Sequence, residues 1–504
     1  MQFTKFFFHF LDSRLGQIDR YADESEEIQE QQLLSLIDSA YDTEWGRRYN
    51  FDKLVNYEQF AKLVPISSYE ELKPFIDRMM KGESDILWKG RPKWFAKSSG
   101  TTNDKSKFIP VSQSALDECH YQGAKDAIAL YSRINPNSRL FSGKSMILGG
   151  SHKLLEASSG ISVGDLSAIL LQNSPEYFSL LRVPEKKIAL MDEWESKIKA
   201  IVESTYNQDV VSLAGVPSWM LVLLKAVLEK SGKKDITEVW PNLELFFHGG
   251  ISFLPYRSLY EQLIPKQGMF YVETYNASEG FFAIQNDISD RSMLLMIDIG
   301  IFYEFIPMDQ FDQVSPPIIP LSEVEVGRNY AMVITTNSGL WRYIIGDTVR
   351  FTSIKPHKIQ VTGRTKHFIN AFGEELMVDN ADRAIVIACE ATGAKVLDYT
   401  AAPIYMSEGN GGAHQWIVEF VTPPSDIALF IDEMDKALKS LNSDYEAKRY
   451  KGMALGLPQL VVAKNGLFAQ WMANRGRVGG QNKVPRLSNS REYIEQLIDL
   501  NSSM

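Results

Sequence analysis

Residues 98–107, with the sequence SSGTTNDKSK, combine hydroxyl side chains, one glycine and two lysines in a short stretch. Glycine lets a ligand come close to the backbone, and successive backbone amides can converge on an anion. Hydroxyl groups donate to phosphate oxygens, and lysine adds a compact positive charge. The segment therefore predicts a loop that binds polyphosphate. A solvated surface turn is the alternative that composition alone leaves open.

A second segment, residues 271–280 (YVETYNASEG), comes directly after an apolar run that predicts a strand. The ends of strands are where α/β proteins place ligand-binding groups. Tyr275 could stack on a base, and Glu279 offers the oxygen ligand that Mg²⁺ prefers. A helix that starts here, with Glu279 in its first turn, is the alternative. Upstream, Gly250 ends another strand and would let an adenine edge approach the backbone.

Two further segments carry isolated polar groups. Asp347 follows Gly346 at a predicted strand end, where its carboxylate could accept hydrogen bonds from ribose hydroxyls. A β-turn aspartate is its alternative. Residues 362–366 (TGRTK) lie at the junction of two parts of the chain with different patterns, and a simple linker is the alternative there.

Other catalytic patterns find less support. Residues 143–145 (GKS) end like a Walker A loop, but position 138 is serine rather than the required glycine. The histidines include no pair at metal-ligand spacing, and no GxSxG motif supports a serine hydrolase. Cys119 and Cys389 form no CxxC motif, which favours a reducing, cytoplasmic setting.

The composition predicts a soluble globular protein of more than one domain. The chain has 504 residues, of which 44% are hydrophobic and 23% charged, and its net charge is −10. The acidic balance argues against a general nucleic-acid binder. No stretch reaches the length of about 18 apolar residues that would predict a membrane span.

The elements that must position these segments alternate between helices and short apolar strands. Helical spacing extends over residues 6–49, and Ser68 with Glu71 forms a capping box that predicts a second helix. An α/β core with parallel strands follows. Its predicted elements are strands at 145–148, 243–247 and 269–272 and a helix at 218–229.

The second half of the chain predicts a β-hairpin and then a small α+β unit. The hairpin pairs residues 330–335 with 340–345 across the turn at 337–339. The elements of the smaller unit are a helix at 378–389, strands on either side of 409–412, a helix at 426–448 and a strand at 459–463.

In this order, the segments resemble the adenylate-forming superfamily, and more closely the auxin-responsive promoter family of acyl-acid amido synthetases. The motifs that carry the resemblance are TEWGRRY at 43–49, SSGTT with KFIP within 98–110, VWPNLE at 239–244, YNASEG at 275–280, GLWRYIIGD at 339–347 and NKVPR at 482–486. The resemblance thus covers nearly the whole chain.

The resemblance implies an α/β fold with two domains. Residues 1–365 would form a large adenylate-forming domain of mixed sheets and helices with a β-hairpin or barrel-like part, which binds ATP and the acyl acid. Residues 366–504 would form a smaller, mobile α+β lid, with Lys366 as the pivot. The implied reaction joins a small carboxylic acid to an amino acid through an acyl-adenylate, with ATP and Mg²⁺. The implied enzyme is a cytoplasmic monomer or weak dimer without nucleic-acid or membrane partners.

The resemblance also assigns roles to residues. Lys107 and Lys483 would neutralise charge on the phosphoryl groups as pyrophosphate leaves, and Glu279 would hold Mg²⁺. The residues that would bind the nucleotide are Ser98, Ser99, Thr101, Thr102, Gly250, Thr274, Tyr275, Asp347 and Arg364.

Two alternative functions stay open. One is an acyl-CoA ligase, in which a thiol replaces the amine, and the other is a non-catalytic nucleotide-binding module. The retention of Lys107, Glu279 and Asp347 argues against the module, because a site without activity has no physical need for these charges. His367 and Phe368 after the hinge are closer to the general superfamily form, which leaves the second substrate open.

Overall fold

Helices and strands alternate along the chain, which confirms the predicted α/β class. The structure is a computed structural model that describes residues 2–99, 106–150, 152–156, 160–191, 193–311, 313–365, 368–407, 411–450, 454–474 and 485–504. The helices are α1 Gln2–Asp19, α2 Ser25–Ala40, α3 Glu44–Arg48, α4 Tyr57–Leu63, α5 Tyr69–Met80, α6 Tyr121–Ile134, α7 Leu166–Asn173, α8 Lys186–Ala189, α9 Trp194–Thr205, α10 Pro217–Ser231, α11 Ile236–Val239, α12 Arg257–Leu263, α13 Val378–Thr392, α14 Ile427–Leu441, α15 Ser443–Arg449, α16 Leu467–Asn474 and α17 Glu492–Ser503.

The strands are short in the first half of the chain and longer in the second. They are β1 Trp94–Ser99, β2 Ser106–Val111, β3 Lys144–Ile147, β4 His152–Glu156, β5 Ile161–Gly164, β6 Arg182–Val183, β7 Val210–Gly215, β8 Leu245–His248, β9 Phe270–Ala277, β10 Gly280–Ile284, β11 Met293–Leu295, β12 Ile301–Pro307, β13 Ile319–Pro320, β14 Asn329–Thr336, β15 Tyr343–Ile354, β16 His357–Arg364, β17 Phe368–Ile369, β18 Leu376–Met377, β19 Lys395–Ile404, β20 Ala413–Thr422 and β21 Gln459–Ala463.

A large mixed sheet dominates the described part of the chain. Its strand order is β13-β12-β14-β15-β16-β11-β10-β9-β8-β7-β3-β6. Strand β9 runs parallel to β8 and antiparallel to β10, so the parallel and antiparallel halves of the sheet meet there. A smaller sheet of order β2-β1-β5-β4 carries the antiparallel pair β1 and β2. This topology brings the ends of β8 and β9 next to strands from the second half of the chain.

The predicted helices are present, but two of them are divided. The backbone N–H of Ser68 donates to Glu71 at 2.7 Å, which confirms the predicted capping box of α5. The helical region at 6–49 is interrupted between α1, α2 and α3. The predicted helix at 426–448 breaks at Asn442, because its side chain accepts the first backbone N–H groups of α15 and so ends the α14 ladder.

Two large hydrophobic clusters form the core. The first joins the N-terminal helices to the antiparallel half of the large sheet. The second joins the parallel strands to residues after 365, and the fully buried Tyr256, Phe372 and Trp416 belong to it. Packing therefore runs continuously across the predicted domain boundary, and the division at residue 365 stays a prediction.

Of the helices within the described ranges, none has both the length and the hydropathy that a bilayer crossing requires.

Candidate active site

A cavity of about 1060 Å³ lies where the large sheet meets the residues after 365. Most of the residues predicted for the nucleotide site line it. These are Ser98, Lys107, Gly250, Thr274, Tyr275, Glu279, Asp347 and Arg364. We call the lining residues up to Arg364 the N-terminal wall. The C-terminal wall consists of Phe368, Asn370, Ala371, Glu375, Tyr405, Asp444 and Asn489.

The predicted phosphate loop joins two paired strands. Ser98 on β1 lies directly across from Lys107 on β2, and Ser99 lies across from Ser106. The Lys107 ammonium donates to the Tyr343 hydroxyl at 3.5 Å and lies 5.7 Å from the ring centre of Tyr69. The strand register thus places a hydroxyl and a cation side by side at one end of the cavity. The loop residues 100–105, which include Thr101 and Thr102, lie outside the described residues, as does Lys483.

A pair of glycines lets β8 approach β9 closely. A Cβ atom on Gly249 would lie 2.3 Å from the carbonyl oxygen of Thr274, so a side chain there would push the strands apart. Gly250 has a φ of +81°, in the left-handed region that favours glycine. The Thr274 hydroxyl donates to the His248 carbonyl at 3.2 Å. This geometry leaves backbone groups accessible at the cavity, as the adenine prediction requires.

Glu279 lies in a tight turn between β9 and β10. Ala277 pairs with Gly280, so Ser278 and Glu279 are the two turn residues. The alternative of a helix starting here is wrong, and the segment belongs to β9 rather than following it. Only 9% of Glu279 is exposed. Burial raises the pKa of its carboxyl group to about 7, and the nearby Lys107 opposes that shift.

Asp347 is held by two donors. The Tyr275 hydroxyl donates to one carboxylate oxygen at 2.6 Å, and the Arg364 Nε donates to the other at 2.9 Å. The predicted strand end at Asp347 is wrong, because β15 continues to Ile354 after Gly346 takes a φ of +94°. An ionised carboxylate has about four acceptor positions, so Asp347 can still accept ribose hydroxyls.

Arg364 connects the two walls. Its Nη2 donates to Glu375 at 3.3 Å, while Nε is bonded to Asp347. Burial would lower the pKa of Arg364, but Glu375 and Asp347 outweigh burial and raise it. Glu375 has a φ of +40°, a conformation that costs energy for a side-chain residue. The arginine is therefore a fixed charge between the nucleotide residues and the C-terminal wall.

The structure adds cavity residues that the motif analysis did not select. Ser278 is adjacent to Glu279, and its hydroxyl could have been selected for that reason. Asn370 donates to the Gly250 carbonyl at 3.2 Å across 120 residues of sequence, a contact that no local pattern reveals. Glu273 is also in the N-terminal wall, and burial raises its pKa to about 7. The signal for Glu273 would have been a carboxylate directly after the apolar residues that predict the strand.

A protein-only metal cage is absent from the described ranges, where His, Cys, Asp and Glu form no group of three suited to a metal ion. Mg²⁺, however, is commonly held by one or two carboxylates together with substrate phosphates. Glu279 supplies one such carboxylate beside Lys107 in a mostly polar cavity. The residues present therefore fit Mg²⁺ bound with a polyphosphate.

The fold and the cavity together define an α/β protein with hydroxyl, lysine and carboxylate groups around one polar cleft at the ends of strands. Residues 14–188 and 166–269 match the GH3 family N-terminal domain, residues 294–364 its central domain and residues 379–492 its C-terminal domain. These matches cover most of the chain, which belongs to the GH3 family.

Named relatives share the length of the chain at low identity. The chain is 23% identical to the indole-3-acetic acid-amido synthetase GH3.3 of Arabidopsis thaliana, over 93% of this chain and 90% of that protein. It is 22% identical to the 4-substituted benzoates-glutamate ligase GH3.12 of Arabidopsis thaliana, over 93% and 94%.

Solved structures share the fold. The GH3.15 acyl acid amido synthetase superposes with a TM-score of 0.59 at 19% identity, over 97% of this chain and 95% of that one. A 2-hydroxyisobutyryl-CoA ligase in complex with 2-HIB-AMP and CoA superposes with a TM-score of 0.57 at 14% identity, over 96% and 93%.

Proposed function

We propose that this protein is an ATP-dependent acyl-acid amido synthetase, which adenylates a small carboxylic acid and transfers the acyl group to an amino acid. The observation that carries the proposal is the single cavity in which the described nucleotide-site residues meet, on a chain that belongs to the GH3 family. At about 1060 Å³ the cavity is large enough for a nucleotide and a small acid together.

In the first half-reaction, a carboxylate oxygen of the acid attacks the α-phosphorus of ATP, and the bond from phosphorus to the bridging oxygen of pyrophosphate breaks. Negative charge develops on the phosphoryl oxygens. Lys107 and the hydroxyl of Ser98 stabilise that charge from one end of the cavity. Asp347, oriented by Tyr275 and Arg364, accepts the ribose hydroxyls.

Glu279, together with the substrate phosphates, would hold Mg²⁺, and the bound ion would supply charge neutralisation for the departing pyrophosphate. The protein's own contribution is to keep the carboxylate in a buried turn that the strand register fixes. Because Glu279 binds a cation only when ionised, the site is expected to function better as the pH rises through about 7.

In the second half-reaction, the amine attacks the acyl carbonyl, the new C–N bond forms and the bond to AMP breaks. An amino acid enters as an ammonium ion, so two protons are released in all. The relatives named above are amido synthetases or an acid–amino acid ligase, which supports an amine as the acceptor. The similarity to the CoA ligase concerns the fold alone.

Several finer assignments rest on the resemblance. Thr101, Thr102 and the backbone around Ser99 would complete the phosphate loop, and Lys483 would neutralise the α-phosphate. Residues 366–504 would rotate as a lid between half-reactions on the domain of residues 1–365. The protein would act in the cytoplasm as a monomer or weak dimer, without nucleic-acid or membrane partners.

The test is mass spectrometry of reactions that contain the purified protein, Mg²⁺, ATP and a carboxylic acid panel of indole-3-acetate, benzoates, jasmonate and short-chain acids. Each reaction is divided between a mixture of amino acids and CoA. Amides with release of AMP are the expected products. Thioesters formed independently of amino acids would identify an acyl-CoA ligase instead, and intact ATP with every acid would refute the enzymatic proposal.

A further inference from the structure

The turn that carries Glu279 continues into an irregular part of the large sheet. The pairing of β10 with β9 shifts between Phe281 and Ala283, which marks a β-bulge that begins two residues after Glu279. Bulges bend a strand, disturb its ladder of hydrogen bonds and recur next to active sites. Here the backbone N–H of Phe281 donates to the sulfur of Cys119 at 3.3 Å. The strand after the turn is therefore held in part by a contact from outside the sheet.

Cys119 belongs to a π-helical segment, Ala115–His120, that leads directly into α6. Such π-helical turns are rare and occur frequently at functional sites. Four residues later, Gly123 packs on the ring of Phe281, since an added Cβ atom would lie 2.4 Å from Cγ of that ring. The start of α6 thus holds Phe281 at both its backbone and its ring. We call Cys119 and Gly123 the Phe281 clamp.

Space around the first residue of β10 is also restricted. An added Cβ atom on Gly280 would lie 2.6 Å from Cδ1 of Ile301 on β12 and 3.6 Å from the Cys119 sulfur. Gly280 therefore lies between β12 and the clamp. Because Glu279 immediately precedes Gly280, a shift of β10 relative to the clamp moves the Glu279 turn.

The clamp is also connected to β2, the strand that carries Lys107. Ser112 follows β2, and its backbone N–H donates to the Ser338 hydroxyl at 3.0 Å. The Ser112 hydroxyl donates to the Asn337 carbonyl at 2.5 Å and accepts the Ala115 backbone N–H at 2.9 Å, at the start of the π-helical segment. These bonds fix the chain between β2 and the clamp, so the clamp sets the position of the Glu279 turn relative to Lys107.

The chemistry of the Cys119 thiol suits a positioning role. Its side chain is buried, and burial raises the pKa of the thiol to about 12. The thiol is therefore neutral at physiological pH, and buried neutral thiols are unreactive. It accepts the Phe281 N–H without placing a charge behind the Glu279 carboxylate.

We propose that the Phe281 clamp positions Glu279, so that its carboxylate stays beside Lys107 and can bind Mg²⁺ together with the substrate phosphates. This inference rests on the proposed function. A carboxylate that binds a metal ion depends on the residues behind it for its orientation. Neither Cys119 nor Gly123 is among the described residues that line the cavity. Substitutions in the clamp therefore act through the turn and remove no group that contacts the substrate.

The first test compares Cys119→Ala with Cys119→Ser, since both side chains are smaller than cysteine but only serine keeps an acceptor. Hydrogen–deuterium exchange of residues 276–284 is measured by mass spectrometry on the protein without nucleotide or metal. Acid-dependent exchange of pyrophosphate into ATP is measured as a function of Mg²⁺ concentration.

In Cys119→Ala, we expect deuterium uptake in residues 276–284 and the Mg²⁺ concentration for half-maximal pyrophosphate exchange each to rise about tenfold. Cys119→Ser should stay within about threefold of the wild-type values, because its hydroxyl can accept the Phe281 N–H. Cys389→Ala, which changes a half-buried cysteine on α13, is the matched control. A lower Tm with unchanged Mg²⁺ dependence would indicate a merely structural role and would overturn the inference.

The second test uses Gly123→Ala, which affects the helix and the turn in opposite directions. Alanine favours a helix more than glycine does, but the added methyl group meets the ring of Phe281 and must displace it. We expect the Mg²⁺ concentration for half-maximal exchange to rise about tenfold or more. In the control Gly16→Ala on α1, no described atom of another element lies within 4 Å of the added group. Wild-type Mg²⁺ dependence in Gly123→Ala would contradict the proposal.

Pyrophosphate exchange by the wild-type protein separates the two proposals. If exchange occurs and the clamp variants keep the wild-type Mg²⁺ dependence, the clamp inference fails and the proposed function stands. If no acid of the panel supports exchange by the wild-type protein, the proposed function itself fails, and the clamp inference fails with it.

Discussion

The two walls of the cavity are built from different kinds of structure. In the N-terminal wall, Asp347 and Arg364 lie directly across from each other on β15 and β16, and Glu279 lies in a two-residue turn. In the C-terminal wall, Asn370 and Glu375 lie on a short loop. That loop is shaped by the buried Glu374, which accepts the backbone N–H groups of Ala371 and Phe372 at 3.1 and 2.6 Å.

The difference separates two tasks. Stabilising a phosphoryl group that gains charge requires groups fixed to within a fraction of an ångström, which paired strands provide. Binding one of several amines tolerates a surface held by single side chains. Changes at Lys107 or Glu279 in the N-terminal wall should therefore strongly lower adenylation, whereas changes in the C-terminal wall should mainly affect transfer to the acceptor.

The largest effect is expected from Lys107→Met. Removing this cation should lower acid-dependent pyrophosphate exchange about 100- to 1000-fold, because Lys107 lies across from Ser98 at the end of the cavity where the phosphoryl charge is proposed to develop. The control is Lys93→Met, an exposed lysine just before β1, which should keep wild-type exchange. Wild-type exchange in Lys107→Met would remove the N-terminal wall from the mechanism.

Glu279→Gln should lower exchange about 100-fold, since losing a Mg²⁺ ligand costs several kcal/mol of charge stabilisation. The pH profile is more specific. The carboxyl group of Glu279 has a pKa of about 7, so wild-type kcat/KM should rise with pH between 6 and 8. The variant should lack that rise. A profile unchanged by the substitution would assign the ionisation to another group.

A smaller effect, which should fall more on amide formation than on adenylation, is expected from changing Glu374, the residue that shapes the loop of the C-terminal wall. In Glu374→Gln, the amide nitrogen cannot accept the backbone N–H groups that the carboxylate binds, and the contact with His414 at 2.7 Å changes. The free energy of unfolding should fall by about 1–3 kcal/mol. Amide formation should fall more than pyrophosphate exchange. Equal losses in both half-reactions would contradict the separation of tasks, and Glu390→Gln on an exposed part of α13 is the control.

The smallest effect concerns stability. Burial raises the pKa of Glu273 to about 7 from an ordinary value of 4.5, so the folded state binds this proton more tightly than the unfolded state. Wild-type stability should therefore decrease as the pH rises between these values. Glu273→Gln should raise the Tm by a few degrees at pH 8 and change it little at pH 5, measured by calorimetry. Glu229→Gln on the exposed face of α10 should show no such difference between the two pH values.

Local patterns predicted much of the fold. The capping box at Ser68 and the strand at 459–463 depend on neighbouring residues, and both are present. The hairpin at 330–345 is present as the β14 and β15 pair, although β15 begins at Tyr343 and not at Leu340. Errors occurred where a side chain competes with the backbone ladder, as at Asn442, or where a glycine bends a strand without ending it, as at Gly346.

Part of the candidate site was also predictable, because it too depends on residues that are neighbours in the sequence. Ser98, Lys107 and Glu279 lie in short segments whose composition suits a nucleotide, so their chemistry is visible in the sequence. Asn370 and Glu375 carry no such signal, because their roles depend on contacts with residues far away in the chain, such as Gly250 and Arg364.

The sequence by itself determined the α/β class and the membership of the GH3 family, and it singled out the groups that we propose bind a nucleotide, because each depends on residue type and short-range spacing. Only the tertiary structure decided that Asp347 is held between Tyr275 and Arg364 and that Glu279 is buried enough to have a pKa of about 7. Burial and the distance between charges arise when remote segments pack together, and they set the protonation and orientation of these groups.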